Sequence, residues 1–263
     1  MPHFGWPAAR TVPIRAIGRN ADRRDLPEEV AIALTYQRET YAVMMASPES
    51  LTDFALGFSL SEGVVEHENE ITDLAIIPTP DGIELRMTVV EHRLDQARAR
   101  RRRLAGPTGC GLCGIDSLAE AVRAPRPIQR AFRAPAALVN EAVRAMTPLQ
   151  NLGQRTRATH AAGLWNGGEM LLREDVGRHN ALDKLVGAAA RGQAVADIVV
   201  LSSRVSIEMV QKACVLGAPI LAAVSAPTAH AVRLAQQAGL TLIGIARSDG
   251  FEIFCGAERI DAS

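Results

Sequence analysis

Apolar and polar positions alternate along the first part of the chain in a way that predicts mixed strands and helices. Residues 30–36 (VAIALTY) and 41–47 (YAVMMAS) have the β-branched and aromatic character of strands. Ser47, Pro48 and Glu49 then offer a cap, a first-turn proline and a first-turn acid. Leu51, Phe54, Ala55 and Phe58 follow at helical spacing, and Gly63 supplies a stop. Residues 73–77 and 82–90 read as further strands. The last third has the plainest pattern. Apolar runs at 197–203, 219–226 and 240–247 alternate with amphipathic stretches at 206–217 and 227–239, and 251–255 forms a fourth short strand. Strand and helix alternating in this way predict a mostly parallel sheet flanked by helices. Ligands on such sheets bind beyond the carboxyl ends of the strands. The loops at 202–206, 225–228 and 247–250 therefore define a binding face.

The chain is expected to divide into an N-terminal α+β part, residues 1–107, and a larger α/β domain, residues 108–263. Its length of 263 residues and its 48% hydrophobic content fit a folded chain with a substantial core. The formal net charge of +0 argues against a surface given over to nucleic acid or membrane. No apolar run approaches the length of a membrane span, and the start of the chain does not read as a signal peptide. A cytoplasmic location is expected. The four cysteines, Cys110, Cys113, Cys214 and Cys255, then serve metal or sulfur chemistry rather than a disulfide framework. Lys184 and Lys212 are the only lysines in a chain otherwise furnished with arginine. They either mark places needing a compact ammonium or survive by chance.

The chemistry concentrates in a few stretches. Cys110 and Cys113 sit among glycines in TGCGLCGIDSL, just ahead of a helical pattern. Glycines allow close approach to the backbone, and a helix start stabilises a thiolate or a persulfide anion. Structural zinc would need two further ligands, and a thioredoxin-like pair lacks its usual flanks. A zinc nucleoside deaminase would need a His or Cys two residues before a Glu, and no His or Cys here has one. No structural metal is expected. In EDVGRHNALDK, Asp175, Arg178, His179 and Asn180 crowd around Gly177, with Asp183 and Lys184 one helical turn on. Arg204 and Ser206 lie where the first strand of the last third gives way to a helix, an arrangement suited to phosphate. Glu208 and Lys212 are spaced as a simple helix salt pair. His160, between small residues, is either structural or a ligand. The arginine run at 98–103 reads as a solvated segment or a phosphate contact.

Taken together, GFSLSEG, CGLCGIDSL, EDVGRHNALDK, SSRVSIEMVQKA and GAPILAAVSAPT resemble, in order, the motifs of the FdhD-type formate dehydrogenase accessory sulfurtransferases. The resemblance implies a cytidine-deaminase-like α/β core used without zinc, and a homodimer. It also implies sulfur passing from a cysteine desulfurase to the CxxC pair. From there sulfur goes to molybdenum held by a bis(molybdopterin guanine dinucleotide) cofactor, for the benefit of the formate dehydrogenase catalytic subunit. The family's persulfide carrier falls on Cys110, with Cys113 assisting. Its nucleotide-binding segment falls on Ile245, Ala246, Arg247, Ser248, Asp249 and Gly250, the strand-end loop already singled out, so a free guanine nucleotide should act as a partial mimic. The family's usual glycines before the histidine matched by His160 are replaced here by Arg157 and Ala158. The alternative reading is a non-catalytic chaperone for the molybdenum cofactor.

Overall fold

The computed structural model describes residues 6–94 and 124–261. Cys110, Cys113 and the arginine run at 98–103 lie outside the described residues, as does the expected domain boundary at 107/108.

The N-terminal part contains a hairpin of β1 (Ala9–Pro13) and β2 (Arg23–Pro27), and a four-stranded sheet. That sheet consists of β3 (Val30–Tyr36), β4 (Glu39–Ala46), β5 (Ile71–Thr79) and β6 (Gly82–Val89), in the order β4-β3-β6-β5. The tight β3–β4 turn places Gln37 and Arg38 at positive φ, the conformation that matches strand twist in two-residue hairpins. Helix α1 (Leu51–Ser61) lies on the sheet and buries Phe54 and Phe58 against Ile32, Leu34, Leu85 and Met87. It starts later than the sequence suggests. Ser50 is its cap residue, and the hydroxyl of Ser47 instead accepts a hydrogen bond from the Val176 backbone N–H, far along the chain.

The larger part is a three-layer sandwich. Its sheet holds β8 (His160–Trp165), β9 (Met170–Asp175), β10 (Ile198–Leu201), β11 (Ile220–Ala223), β12 (Thr241–Arg247) and β13 (Gly250–Cys255), in the order β13-β12-β11-β10-β8-β9. One face packs on α2 (Ala136–Leu149) through Ile198, Val200, Ile220 and Ile243. The other packs on α4 (Arg178–Arg191), α5 (Ile207–Val215) and α6 (Ala229–Ala238) through Val199, Leu201, Leu221 and Leu242. Burial on both faces explains why the central strands read as unbroken apolar runs. A short helix, α3 (Asn151–Thr156), leads into β8, and a small parallel pair joins β7 (Ala134–Pro135) to β14 (Ile260–Asp261).

The expectation of a mostly parallel sheet needs correction. Within this six-stranded sheet only β10, β11 and β12 pair in parallel, and β8, β9 and β13 enter antiparallel. The reason lies in the connections. Two residues join β12 to β13 and four join β8 to β9, and neither link can make the crossover that parallel neighbours require.

The two parts meet where α1 crosses α4. A Cβ on Gly57 would lie 1.7 Å from the Asp183 carbonyl oxygen, and one on Gly187 would lie 1.9 Å from that of Asp53. Glycine at both positions brings the two backbones into contact. Asp53 seals the crossing, accepting from Arg173 Nε at 2.8 Å and Arg191 Nη1 at 2.7 Å.

Candidate functional site at the strand ends

The site forms at the carboxyl edge of the parallel strands. Helix α5 starts there with Ser206 as its cap residue, and α6 starts there with Thr228, whose Oγ1 accepts from Ala231 N–H at 3.2 Å. Because β8 runs against β10, its first residue, His160, comes to the same edge, where it pairs in register with Asp175 at the end of β9. Helix α4 begins three residues later at Arg178. The fold therefore gathers His160, Asp175, Arg178, His179, Asn180, Arg204 and Ser206 at one edge. The loops at 202–206 and 224–228 are tied to each other by Thr228 N–H donating to Val205 O at 2.9 Å and to the sheet by Ser202 N–H donating to Ala161 O at 3.0 Å.

Asp175 and Asn180 turn inward and are committed to protein partners. Asp175 is fully buried and pairs with the equally buried Lys184 at 2.6 Å. It also accepts from the N–H groups of Ser47 at 3.0 Å and Gly177 at 2.8 Å, and from Asn180 Nδ2 at 3.2 Å. Lys184 donates to Ser47 O at 2.8 Å, and Asn180 Nδ2 to Met45 O at 2.8 Å. These residues bind the end of β4 to the loop that opens α4, and so position Arg178 and His179. Glu174, the acid before them, accepts from the N–H groups of Leu152 and Gly153 at 2.9 and 2.7 Å and holds the start of α3.

The expected Glu208–Lys212 pair does not form. Lys212 instead grips both carboxylate oxygens of buried Asp183, at 2.7 and 2.8 Å. Burial drives the Asp183 pKa upward against the pull of Lys212. Both lysines of the chain thus serve buried ion pairs on α4, where a compact ammonium fits.

What faces the site is different in kind. Among the described residues, neither Arg178 nor Arg204 has a carboxylate partner, and Arg204 is exposed. Burial, followed by the positive charges of Lys212 and Arg178, lowers the His179 pKa to about 3. Burial and Arg178 also lower that of His160. Both imidazoles are neutral at neutral pH. Two arginines and open helix N-termini beside neutral histidines form an edge suited to an anionic ligand.

The segment of Ile245, Ala246, Arg247, Ser248, Asp249 and Gly250 lies on the same edge. Ile245, a β-branched residue, is held at φ 52 and is exposed, within an irregularity of the β12–β13 pairing. A left-handed isoleucine is a strained conformation that the surrounding structure must impose. Gly244 helps: a Cβ there would meet Phe254, Pro227 and the Ser225 carbonyl at 2.8, 2.9 and 3.2 Å. The Arg247 guanidinium donates to the carbonyls of Val224 and Ala246, bracing the end of β11. Ser248 and Asp249 form the hairpin turn and are exposed.

Cys214 is buried, and burial pushes its thiol up to about 12. Cys255 is half-buried, also with a raised pKa, and its Sγ lies 3.3 Å from Leu240 O. Neither thiol is poised to ionise.

The chain is thus a three-layer α/β sandwich whose strand-end edge, with two arginines that have no carboxylate partner among the described residues, is suited to an anion. Its relatives narrow this. The sequence model of the FdhD/NarQ family matches residues 27–261. A protein of Agrobacterium fabrum named Sulfur carrier protein FdhD is 47% identical over 242 residues, covering 90% of this chain and 89% of the relative. Another of that name, from Brucella abortus, is 47% identical over 251 residues, covering 94% and 93%. The crystal structure of a protein from Desulfotalea psychrophila, assigned as a formate dehydrogenase accessory protein, superposes with a TM-score of 0.73 at 25% identity. That match covers 97% of this chain and 100% of the other. The chain belongs to the FdhD/NarQ family.

Proposed function

We propose that this protein is a sulfurtransferase acting in formate dehydrogenase maturation. Sulfur from a cysteine desulfurase rests as a persulfide on Cys110, with Cys113 assisting. It then passes to the bis(molybdopterin guanine dinucleotide) molybdenum cofactor, which is bound as substrate at the strand-end site. The observation that carries the reading is 47% identity, over 90% and 94% of the chain, with two proteins named as sulfur carriers, in a chain that holds the CGLCG sequence. The edge formed by Arg178, Arg204, His160 and the starts of α4 and α5 supports a ligand rich in phosphate. Burial raises the pKa values of Cys214 and Cys255, which favours the CxxC pair as the reactive thiols. We read the sandwich as a cytidine-deaminase-like core used without zinc, working as a cytoplasmic homodimer, so that each dimer offers two nucleotide sites to one two-nucleotide cofactor.

The test is mass spectrometry after incubation with a desulfurase and cysteine. A gain of one sulfur atom per chain, mapped to Cys110, is expected. Loss of target-enzyme activity in Cys110→Ala supports transfer. Full activity in that variant would replace it with the chaperone reading.

A further inference from the structure

The turn that leads from α3 into β8 is held from several sides. Arg157 closes α3, its N–H donating to Gly153 O at 2.7 Å. The N–H of Ala158 then donates to Thr156 Oγ1 at 3.4 Å. From the β1–β2 hairpin, Arg24 donates to Thr156 O at 3.3 Å, and on the other side of the turn Thr159 Oγ1 donates to Glu174 Oε1 at 3.3 Å. Gripped before and after, the backbone of Arg157 is fixed at φ 58. That conformation favours glycine. Arg157 is also exposed, so its side chain adds nothing to the core. What the arginine brings to this position is charge.

The charge falls at the strand-end edge. Arg157 stands three residues before His160, so their Cα atoms lie at most about 11 Å apart. His160 pairs in register with Asp175, and Arg178 follows Asp175 by three residues. Ala161 N–H donates to Ser202 Oγ at 2.8 Å, and Arg204 stands two residues beyond Ser202. Three arginines on three separate segments thus converge on His160 and Ala161. The acids around this turn are committed elsewhere: Asp25 is paired with Arg155, Glu174 holds the start of α3, and Asp175 is paired with buried Lys184.

We infer that Arg157 is a third phosphate-binding residue of this edge, acting with Arg178 and Arg204 on the diphosphate of a nucleotide. The inference rests on the proposed binding of the cofactor at the strand ends, and adds to it a residue that the local backbone disfavours. The Arg157 N–H is spent on closing α3, so the contact comes from the guanidinium, whose planar fork can donate two parallel N–H bonds to one phosphate. Because the backbone is fixed in advance, binding has only the side chain left to order. Position 157 trades stability for binding, and the two effects have opposite signs in a single variant.

Titration calorimetry of guanosine diphosphate on the full chain, at low and at moderate salt, tests this with Arg157→Gly and Arg157→Asn. Both replacements accept the left-handed backbone and carry no charge. Neither should lower the melting temperature, and Arg157→Gly should raise it. Each should weaken binding about fivefold or more at low salt. Affinity should also fall less steeply with added salt than in the wild type, since one charged contact is gone. Wild-type affinity in either variant would overturn the inference and leave the proposed cofactor site standing. Weaker binding with the salt dependence of the wild type would overturn it as well, because the loss would then lie in the shape of the turn and not in charge. Failure of guanosine diphosphate to bind the wild type would overturn both.

Discussion

Lys184 and Asp175 show how single residues at this site serve position rather than contact. Each is fully buried, and together they tie the end of β4 to the loop that opens α4. Removing one member of a buried pair leaves the other charged without compensation. Lys184→Met should therefore cost roughly 3–5 kcal/mol of stability, read by urea unfolding. Asp175→Asn should cost a similar amount: the amide can still accept from Gly177 N–H, but its NH2 group then faces the Ser47 N–H and the Lys184 ammonium, donor against donor. A smaller loss in Lys184→Met than at an exposed lysine-to-methionine control would show that the pair is dispensable. The sequence pointed to both lysines through their rarity, and to the crowding around Gly177. It did not reveal that Asp175 and Asn180 face inward, since their partners, Ser47 and Met45, lie more than a hundred residues away. Glu208 was masked for a similar reason: a four-residue spacing suggests a pair with Lys212, but Asp183 on a neighbouring helix wins that lysine. Cys214→Ala should leave sulfur loading unchanged, since burial holds that thiol near 12, while Cys110→Ala should abolish loading in the same mass-spectrometric assay.

At the scale of elements, the α1–α4 crossing and the α3–β8 junction depend on backbone conditions that periodicity alone does not express. Periodicity located α1 by its apolar residues, yet Gly57 reads within that pattern only as a weak helix former. Its role appears when the Asp183 carbonyl is seen where its Cβ would be. Gly57→Ala should force the helices apart and cost about 3 kcal/mol or more by thermal melting, with the same expected of Gly187→Ala. A loss below that of an exposed glycine-to-alanine change in another helix would contradict this packing. The opposite sign is expected at Arg157. It closes α3 at φ 58, with its N–H donating to Gly153 O at 2.7 Å. That left-handed conformation explains why glycine suits the position and why arginine is under strain there. Arg157→Gly should raise stability by about 1 kcal/mol, offset in part by the freedom glycine gains on unfolding. Destabilisation in this variant would mean that the arginine side chain contributes more than its backbone strain removes.

For the whole molecule, strand positions were legible because buried strands leave long apolar runs, but sheet order was not. Nothing in 160–165 announces that β8 slips between β9 and β10 in the opposite sense, and the shortness of the 248–249 link outweighs the apolar pattern of 251–255 in fixing the direction of β13. The edge proposed for binding was inferred from the parallel strands alone. What burial adds is a pH dependence of the entire fold. His179 sits between α4 and α5, facing Glu208 and close to Lys212, Arg178 and His160. In the unfolded chain it takes a proton near its ordinary value of 6.5, but in the folded chain burial and the neighbouring cations delay protonation to about 3. Above pH 6.5 both states hold the neutral ring, and the residue adds no pH dependence. As the pH falls below 6.5, protons bind the unfolded state preferentially, so stability declines steadily and levels off only near pH 3. His160, lowered for the same leading reason, steepens the upper part of that decline. Urea unfolding at fixed steps between pH 7 and pH 4 should show the fall in the wild type and a shallower one in His179→Gln, which cannot titrate. Parallel profiles for the two proteins would mean that the site is open enough for the imidazole to protonate in the folded state, and that the buried floor of the site is not maintained in solution.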